Sequence, residues 1–151
     1  MRITSPSGDA FQLVIVRYQH PDVGEDRWDS NWLIVNGTVA AGPETWGFTE
    51  PCLTTFELAD FADWLDELAK EGSEPSSFEF AEPNLKFSYT PWPRRALQLT
   101  LAHESAPPSR SEVERRTGVT VEFELPKVQA EALATEIRGA LMDYPIRGGA
   151  A

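Results

Sequence analysis

Two histidines, one cysteine and many carboxylates are the side chains in this chain best suited to chemistry. His20 and His103 each stand alone, without an H-x-H or H-x-x-x-H partner. Their spacing therefore does not describe a metal site, and each reads as an ordinary loop or strand-end histidine. Cys52 lies just before a helix start, where the helix dipole lowers a thiol pKa. Its apolar neighbours Leu53 and Phe56 point instead to a buried, inert thiol. Asp22, Asp26 and Asp29 offer oxygens to Ca²⁺, but not at the spacing of an EF-hand loop. Glu82 and Glu104 are a candidate acid–base pair across a sheet. The competing reading is of carboxylates that fix a turn or bond Arg94 or Arg95. There is no G-x-S-x-G, no Gly-rich phosphate loop and no zinc-protease helix motif. Trp28, Trp32, Trp46, Trp64 and Trp92 offer stacking faces to a sugar, or core and cross-strand packing. The chain carries no catalytic signature, and no cofactor is implied.

The elements that must hold these residues follow from periodicity. Thr54 and Glu57 have the spacing of a capping box, in which each side chain satisfies an orphan backbone N–H. Leu58, Phe61, Leu65 and Leu68 then recur on one face of a helix ending near Gly72. Asp60, Asp63, Asp66 and Glu67 fall largely off that stripe and face water. Before this helix, Phe11 to Tyr18, Asn31 to Ala40 and Thr45 to Thr49 read as strands, with Asn36-Gly37 a turn or bulge signal. A polar loop from His20 to Ser30 carries Asp22, Glu25, Asp26 and Asp29. After the helix, Ser77 to Ala81 and Leu85 to Tyr89 flank a turn at Glu82-Pro83-Asn84, and Pro91-Trp92-Pro93 forces another. Ala96 to His103 and Val119 to Leu125 alternate as half-buried strands, separated by a Pro/Ser-rich loop over Ala106 to Glu114. Pro126 opens a closing helix with its stripe on Ala130, Leu133, Ile137, Leu141 and Tyr144.

This order predicts an α+β fold: a single, mainly antiparallel sheet of about six to seven strands with two helices. One helix lies mid-chain at about 54–70 and the other C-terminally at about 127–143. The whole of 1–151 is expected as a single domain, with flexible ends at 1–9 and 147–151.

Composition narrows the partners. The formal charge is −11, from 24 acidic against 13 basic side chains. Phosphates need Lys and Arg to displace their counterions, so nucleic acid and anionic membranes are disfavoured as direct ligands. Basic proteins are the natural partners, whose capture such a field accelerates. Solubility alone is the competing account of the charge. One cysteine excludes an internal disulfide. The opening MRITSPSGDA has no apolar core of a signal peptide, and no segment approaches a membrane span, so a cytoplasmic location is expected.

Four segments carry a resemblance. They are Tyr18-Gln19-His20-Pro21 with Trp28-Asp29-Ser30-Asn31-Trp32-Leu33; Glu50 to Leu58; Phe80-Ala81-Glu82-Pro83-Asn84-Leu85-Lys86-Phe87; and the terminal helix ending Tyr144-Pro145. In this order the chain resembles the bacterial WapI-family immunity proteins, from about Phe11 to Arg147. It departs from that pattern at His20, where an aromatic follows Tyr-Gln. The resemblance implies a small cytoplasmic antitoxin, not an enzyme, that binds and neutralises a toxin domain, often a nuclease, made by its own cell. It supplies no residue-level contacts.

On the residues themselves, the partner-binding candidates are Asp22, Asp26, Asp29, Asp60, Asp63, Asp66 and Glu67, with Trp28 and Trp92 as aromatic anchors. The partner so described is a basic protein toxin domain. An exposed sheet edge pairing two copies would give a homodimer, and the oligomeric state stays open. The alternative function is a small-ligand or carbohydrate-binding domain, which requires a deep pocket lined by Trp28, Trp46 or Trp92. A carboxylate-pair enzyme requires two buried acids within hydrogen-bonding reach.

Overall fold

In the computed structural model, which describes residues 1–148, the chain makes two antiparallel meanders separated by a helix. The first comprises β1 (Arg2–Thr4), β2 (Ala10–Tyr18), β3 (Trp32–Ala41) and β4 (Glu44–Thr54), paired in that order. Helix α1 (Thr55–Ala69) follows without a break. The second comprises β5 (Ser76–Glu79), β6 (Leu85–Thr90), β7 (Ala96–Leu101) and β8 (Val119–Glu124), with the short α2 (Glu112–Thr117) before β8. Helix α3 (Lys127–Asp143) ends the fold.

The α+β class is as expected, but the expected single sheet is corrected to two four-stranded sheets. Strand periodicity reports which residues face inward and not which strands share a ladder. Here α1 intervenes between β4 and β5, so each half closes its own set of hydrogen bonds. The two expected helices are present, and a third, α2, lies partly in the segment read as a Pro/Ser-rich loop. Its signal was a second capping box: Ser111 accepts from the Glu114 backbone N–H while Glu114 accepts from the Ser111 N–H. Residues 2–4, within the expected flexible end 1–9, pair with β2 and place Ile3 fully inside. Of the expected flexible tail 147–151, Arg147 is bonded to Asn31; residues 149–151 lie outside the described residues.

One hydrophobic core joins both sheets and both long helices. Phe61 of α1 sits against Phe78, Phe80 and Phe87 of the second meander at ring-centroid distances of 4.7–5.6 Å. From α3, Ala130, Leu133 and Ile137 are buried as the stripe requires, with Leu141 and Tyr144 packed partly against the core. The helices run antiparallel: Lys127 meets Glu71 at one end, and Arg138 meets Asp63 and Asp66 in the middle.

Both neighbours of β3 are irregular at the same place. Arg17 pairs with Ile34 after a register shift that leaves Val16 unpaired, and Pro51 with Cys52 opposes Ile34 alone. A proline donates no ladder hydrogen bond, so a bulge is where β4 can carry one. That bulge turns Glu50, Pro51 and Cys52 out of the regular alternation, and it matters for the site below.

Asn36-Gly37, a turn or bulge signal in the sequence, is neither: β3 runs straight through it. Gly37 is there because the Phe48 ring crosses it; an added Cβ would lie 2.1 Å from Phe48 Cζ. Gly37→Ala is therefore expected to destabilise the protein by about 1–3 kcal/mol through overpacking, and Phe48→Leu in the same chain to recover part of that loss. Urea denaturation of the single and double variants measures both.

Asn31, fully buried, ties three segments together. Its amide donates to the carbonyls of Arg27 and Arg147, and its Oδ1 accepts from Arg147 N–H and Thr55 Oγ1. Asn31→Ala strands those partners, and the expected loss is about 2–3 kcal/mol by denaturant unfolding.

Candidate partner-binding surface

The loop of residues 20–31 is built from its own side chains. Asp26 Oδ1 accepts from the backbone N–H groups of Trp28 and Asp29, both at 2.8 Å, which starts a 3-10 turn at Asp29–Asn31. Trp28 is thereby turned onto α1, where its ring meets Phe56 edge-on at 4.9 Å while staying 53% exposed. Arg27 lies over the other side of this pair, 5.4 Å from the Phe56 ring. Asp60 stands one turn further along α1, exposed, as are Asp22 and Asp29; none of the three forms an ion pair among the described residues. Trp28, Phe56 and Arg27 therefore make an exposed contact at the start of α1, with Asp29 next to Trp28 in the chain and Asp60 one turn beyond Phe56.

The remaining helix acids are placed differently. Arg138 of α3 bridges Asp63 and Asp66 at 2.7 Å each, and Lys70 bridges Glu67 at 2.5 Å. The row that looked uniformly free in the sequence is half-neutralised by the molecule's own cations. Trp92, 79% exposed, sits on the β6–β7 turn, whose Arg95 donates to the Leu68 carbonyl at the far end of α1. Trp28 thus meets α1 at Phe56 and Arg95 of the Trp92 turn meets it at Leu68, points about 18 Å apart along the axis at a rise of about 1.5 Å per residue. Trp46 belongs to neither region: it lines a shallow groove with Arg2, Gln12 and Thr38, and its indole N–H donates to the Ser105 carbonyl.

A second feature lies where the two sheets meet. A cleft of about 410 Å³ is lined by Gln19 beyond β2, Trp32 at the start of β3, and Glu50, Pro51 and Cys52 at the β4 bulge. Glu82 and Asn84 of the β5–β6 turn and Glu104 of a 3-10 turn complete it. Glu57 holds the two sides in register, since one oxygen caps α1 through Thr54 and the other accepts from the Ala81 N–H at 2.6 Å. Glu50 and Glu82 make no hydrogen bond or ion pair among the described residues. Glu104 accepts from Asn84 Nδ2 at 3.1 Å. Backbone N–H donation and this amide, helped by His103 and Arg115, hold the Glu104 carboxyl below the usual range.

These placements bear on the chemistry weighed above. Glu82 and Glu104 do share a cleft, but both are exposed, they are not bonded to each other, and Glu104 is held as the anion, which suits a base and not an acid. Cys52 is 2% exposed and its thiol is pushed up to about 12, chiefly by burial and then by the charge of Glu50, with Glu57 and Glu82 adding. Among the described residues no group of three or more His, Cys, Asp or Glu is arranged to hold a metal ion. No helix among them is long and apolar enough to cross a membrane.

The cleft draws on segments that carry the resemblance in the sequence: Gln19, Trp32, Glu50 to Cys52, Glu82 and Asn84. A family model described as the immunity protein WapI-like family matches residues 2–145. The chain belongs to the WapI-like immunity protein family. No curated protein matches this family member. Among solved structures it is similar to the plant transcriptional regulator PBF-2, at 11% identity and a TM-score of 0.48, over 95% of this chain and 80% of that one.

The thiol gives a direct check on the cleft of this WapI-like chain. A raised folded-state pKa means the neutral thiol's contribution to stability is full below the unfolded value of about 8.5 and is lost as pH rises toward about 12. At pH 8.5 iodoacetamide is expected to leave native Cys52 unmodified while alkylating it in urea, as read by intact mass. Rapid native labelling would show that the site opens.

Proposed function

We propose that this chain is a cytoplasmic immunity protein that binds a toxin domain of its own cell one-to-one and so neutralises it. The match to the WapI-like immunity family across residues 2–145 carries the reading. The surface supports it in kind. Tight complexes rest on a few aromatic anchors ringed by polar groups, and Trp28 on Phe56, with the unpaired Asp29 next to Trp28 and Asp60 one turn beyond Phe56, has that composition. A basic toxin domain, such as a nuclease with a cleft for phosphates, is the complementary partner for a net charge of −11. Asp26 contributes by shaping the loop. Asp63, Asp66 and Glu67 contribute less, because Arg138 and Lys70 offset their charge, and Trp92 forms an outlying contact.

The test is co-expression with a toxin gene found beside this one in its genome, together with pull-down of its product. Protection and one-to-one recovery are expected. Replacing Trp28 by Ala, or Asp22, Asp29 and Asp60 together by Asn, should weaken binding about tenfold or more, because rim charges and anchors dominate rate and affinity. Replacing Asp63 and Asp66 should do less. No recovery and no protection would end the reading.

A further inference from the structure

We propose that Arg147 is a positioning residue, which clasps the loop of residues 20–31 and so holds Trp28 where a partner protein meets it. The partner rests on the immunity reading; the clasp rests on its own geometry. Burial does not order the loop, since every residue from His20 to Asp29 is exposed. The second half is held locally, by Asp26 and the 3-10 turn at Asp29–Asn31. The first half is held from outside. Among the described residues, the hydrogen bonds that reach residues 20–25 from beyond the loop all come from Arg147. Its Nη1 donates to the carbonyls of Pro21 at 3.1 Å and Val23 at 3.5 Å.

Arg147 is itself fixed on two sides. Its guanidinium carbon lies 3.8 Å from the centroid of the Tyr18 ring, a cation–π contact at the end of β2. Its backbone N–H donates to Asn31 Oδ1, and its carbonyl accepts from Asn31 Nδ2, at the close of the loop. One residue therefore spans the loop from Pro21 to Asn31. The segment that carries it is seated on β2: the Tyr144 hydroxyl donates to the Val16 carbonyl, and the Tyr18 hydroxyl donates to the Pro145 carbonyl. Gly148 follows at φ +57, so close to the loop that an added Cβ would lie 3.1 Å from the Glu25 carbonyl oxygen. Asn31 Nδ2 also holds the Arg27 carbonyl, one residue before Trp28, and this carries the constraint to the indole on Phe56. A lysine does not replace the clasp, because a compact ammonium has no plane to lay on the ring while reaching two carbonyls. Fixing the loop matters for affinity. A partner binds only those molecules whose loop is competent, and its apparent affinity falls with that fraction.

The experiment compares Arg147→Ala with the parent by hydrogen exchange and by binding. Alanine keeps both backbone bonds to Asn31 and loses only the side-chain clasp. Exchange at the Val23 and Trp28 amides should quicken about tenfold, while Leu99 in the middle of β7 keeps its protection. Binding of the toxin domain from the co-expression test should weaken about tenfold, as the competent fraction falls to about a tenth. In a Trp28→Ala background the same change should cost about twofold or less, because a residue acting through Trp28 then has nothing to position. Arg147→Lys should behave as the alanine variant does. Unchanged exchange at Val23 and Trp28, equal quickening at Leu99, additive losses in the double variant, or parent-like behaviour of Arg147→Lys would each overturn the clasp. If the parent binds the toxin domain and Arg147→Ala binds it equally well, the clasp fails and the immunity reading stands. If the parent does not bind it, the immunity reading fails, and the exchange rates still decide the clasp.

Discussion

A single carboxylate holds the joint between the two sheets together. Glu57 uses one oxygen to close the capping box with Thr54 and the other to take the Ala81 N–H. The first bond fixes where α1 begins; the second fixes where the β5–β6 turn lies against it. Because β4 runs directly into α1, the same carboxylate sets the β4 bulge, the helix and the second sheet in one register. Beside it, Thr55 donates to Asn31, which in turn holds the loop of residues 20–31 and the Arg147 segment. The exposed contact and the cleft are thus two faces of one hydrogen-bonded joint. Charged and amide groups serve this purpose well when every partner is satisfied, since a satisfied buried network admits one arrangement.

The net charge is a poor guide to where a cation would dock; its distribution is the informative quantity. The α1 row at Asp63, Asp66 and Glu67 is covered by Arg138 and Lys70, and Glu44 is covered by Arg110. Such exposed pairs add little stability, but they cancel the local field. Asp29, Asp60, Glu50 and Glu82, around the start of α1 and the cleft, have no ion pair among the described residues, and neither do Glu74, Glu131 and Asp143 elsewhere. A net field of this sign speeds the approach of any cation, while the local pairing decides which carboxylates are free to meet it.

Local structure was legible in the sequence wherever one rule dominated. The Thr54 and Glu57 box, the α1 stripe, and the alternation of Leu97, Leu99 and Leu101 are all found as read, because each depends on residues near in sequence. The number of sheets was not legible, because the break between β4 and β5 is a property of pairing and not of either strand. Gly37 looked like a turn residue for want of any sign of the Phe48 ring, which comes from the next strand. β1 was hidden by its length of three residues, and α2 by the prolines ahead of Ser111. The site divides in the same way. Exposure of Trp28 and Trp92 could be read from turn-rich surroundings, whereas the capture of Asp63 and Asp66 by Arg138 could not, since the partner lies 75 residues away. Glu50, Gln19 and Trp32 line one cleft, which their separate segments do not reveal. Segments from separate strands reveal a shared cleft only when folded.

The carboxylates of the cleft can be weighed directly as an acid–base pair. Acid–base catalysis by two carboxylates needs their environments to push the pKa values apart, one held up as an acid and one held down as a base. Here the one glutamate clearly moved, Glu104, is moved downward, by donors that favour its charge. Its neighbours Glu50 and Glu82 are given no proton-donating partner. Glu104 is bonded by donors that favour its anion, so the acid half of such a pair is not built at this position. Glu57 and Asn31 tie the elements around the cleft to one another, and a network whose partners are all satisfied holds its walls in one relative position.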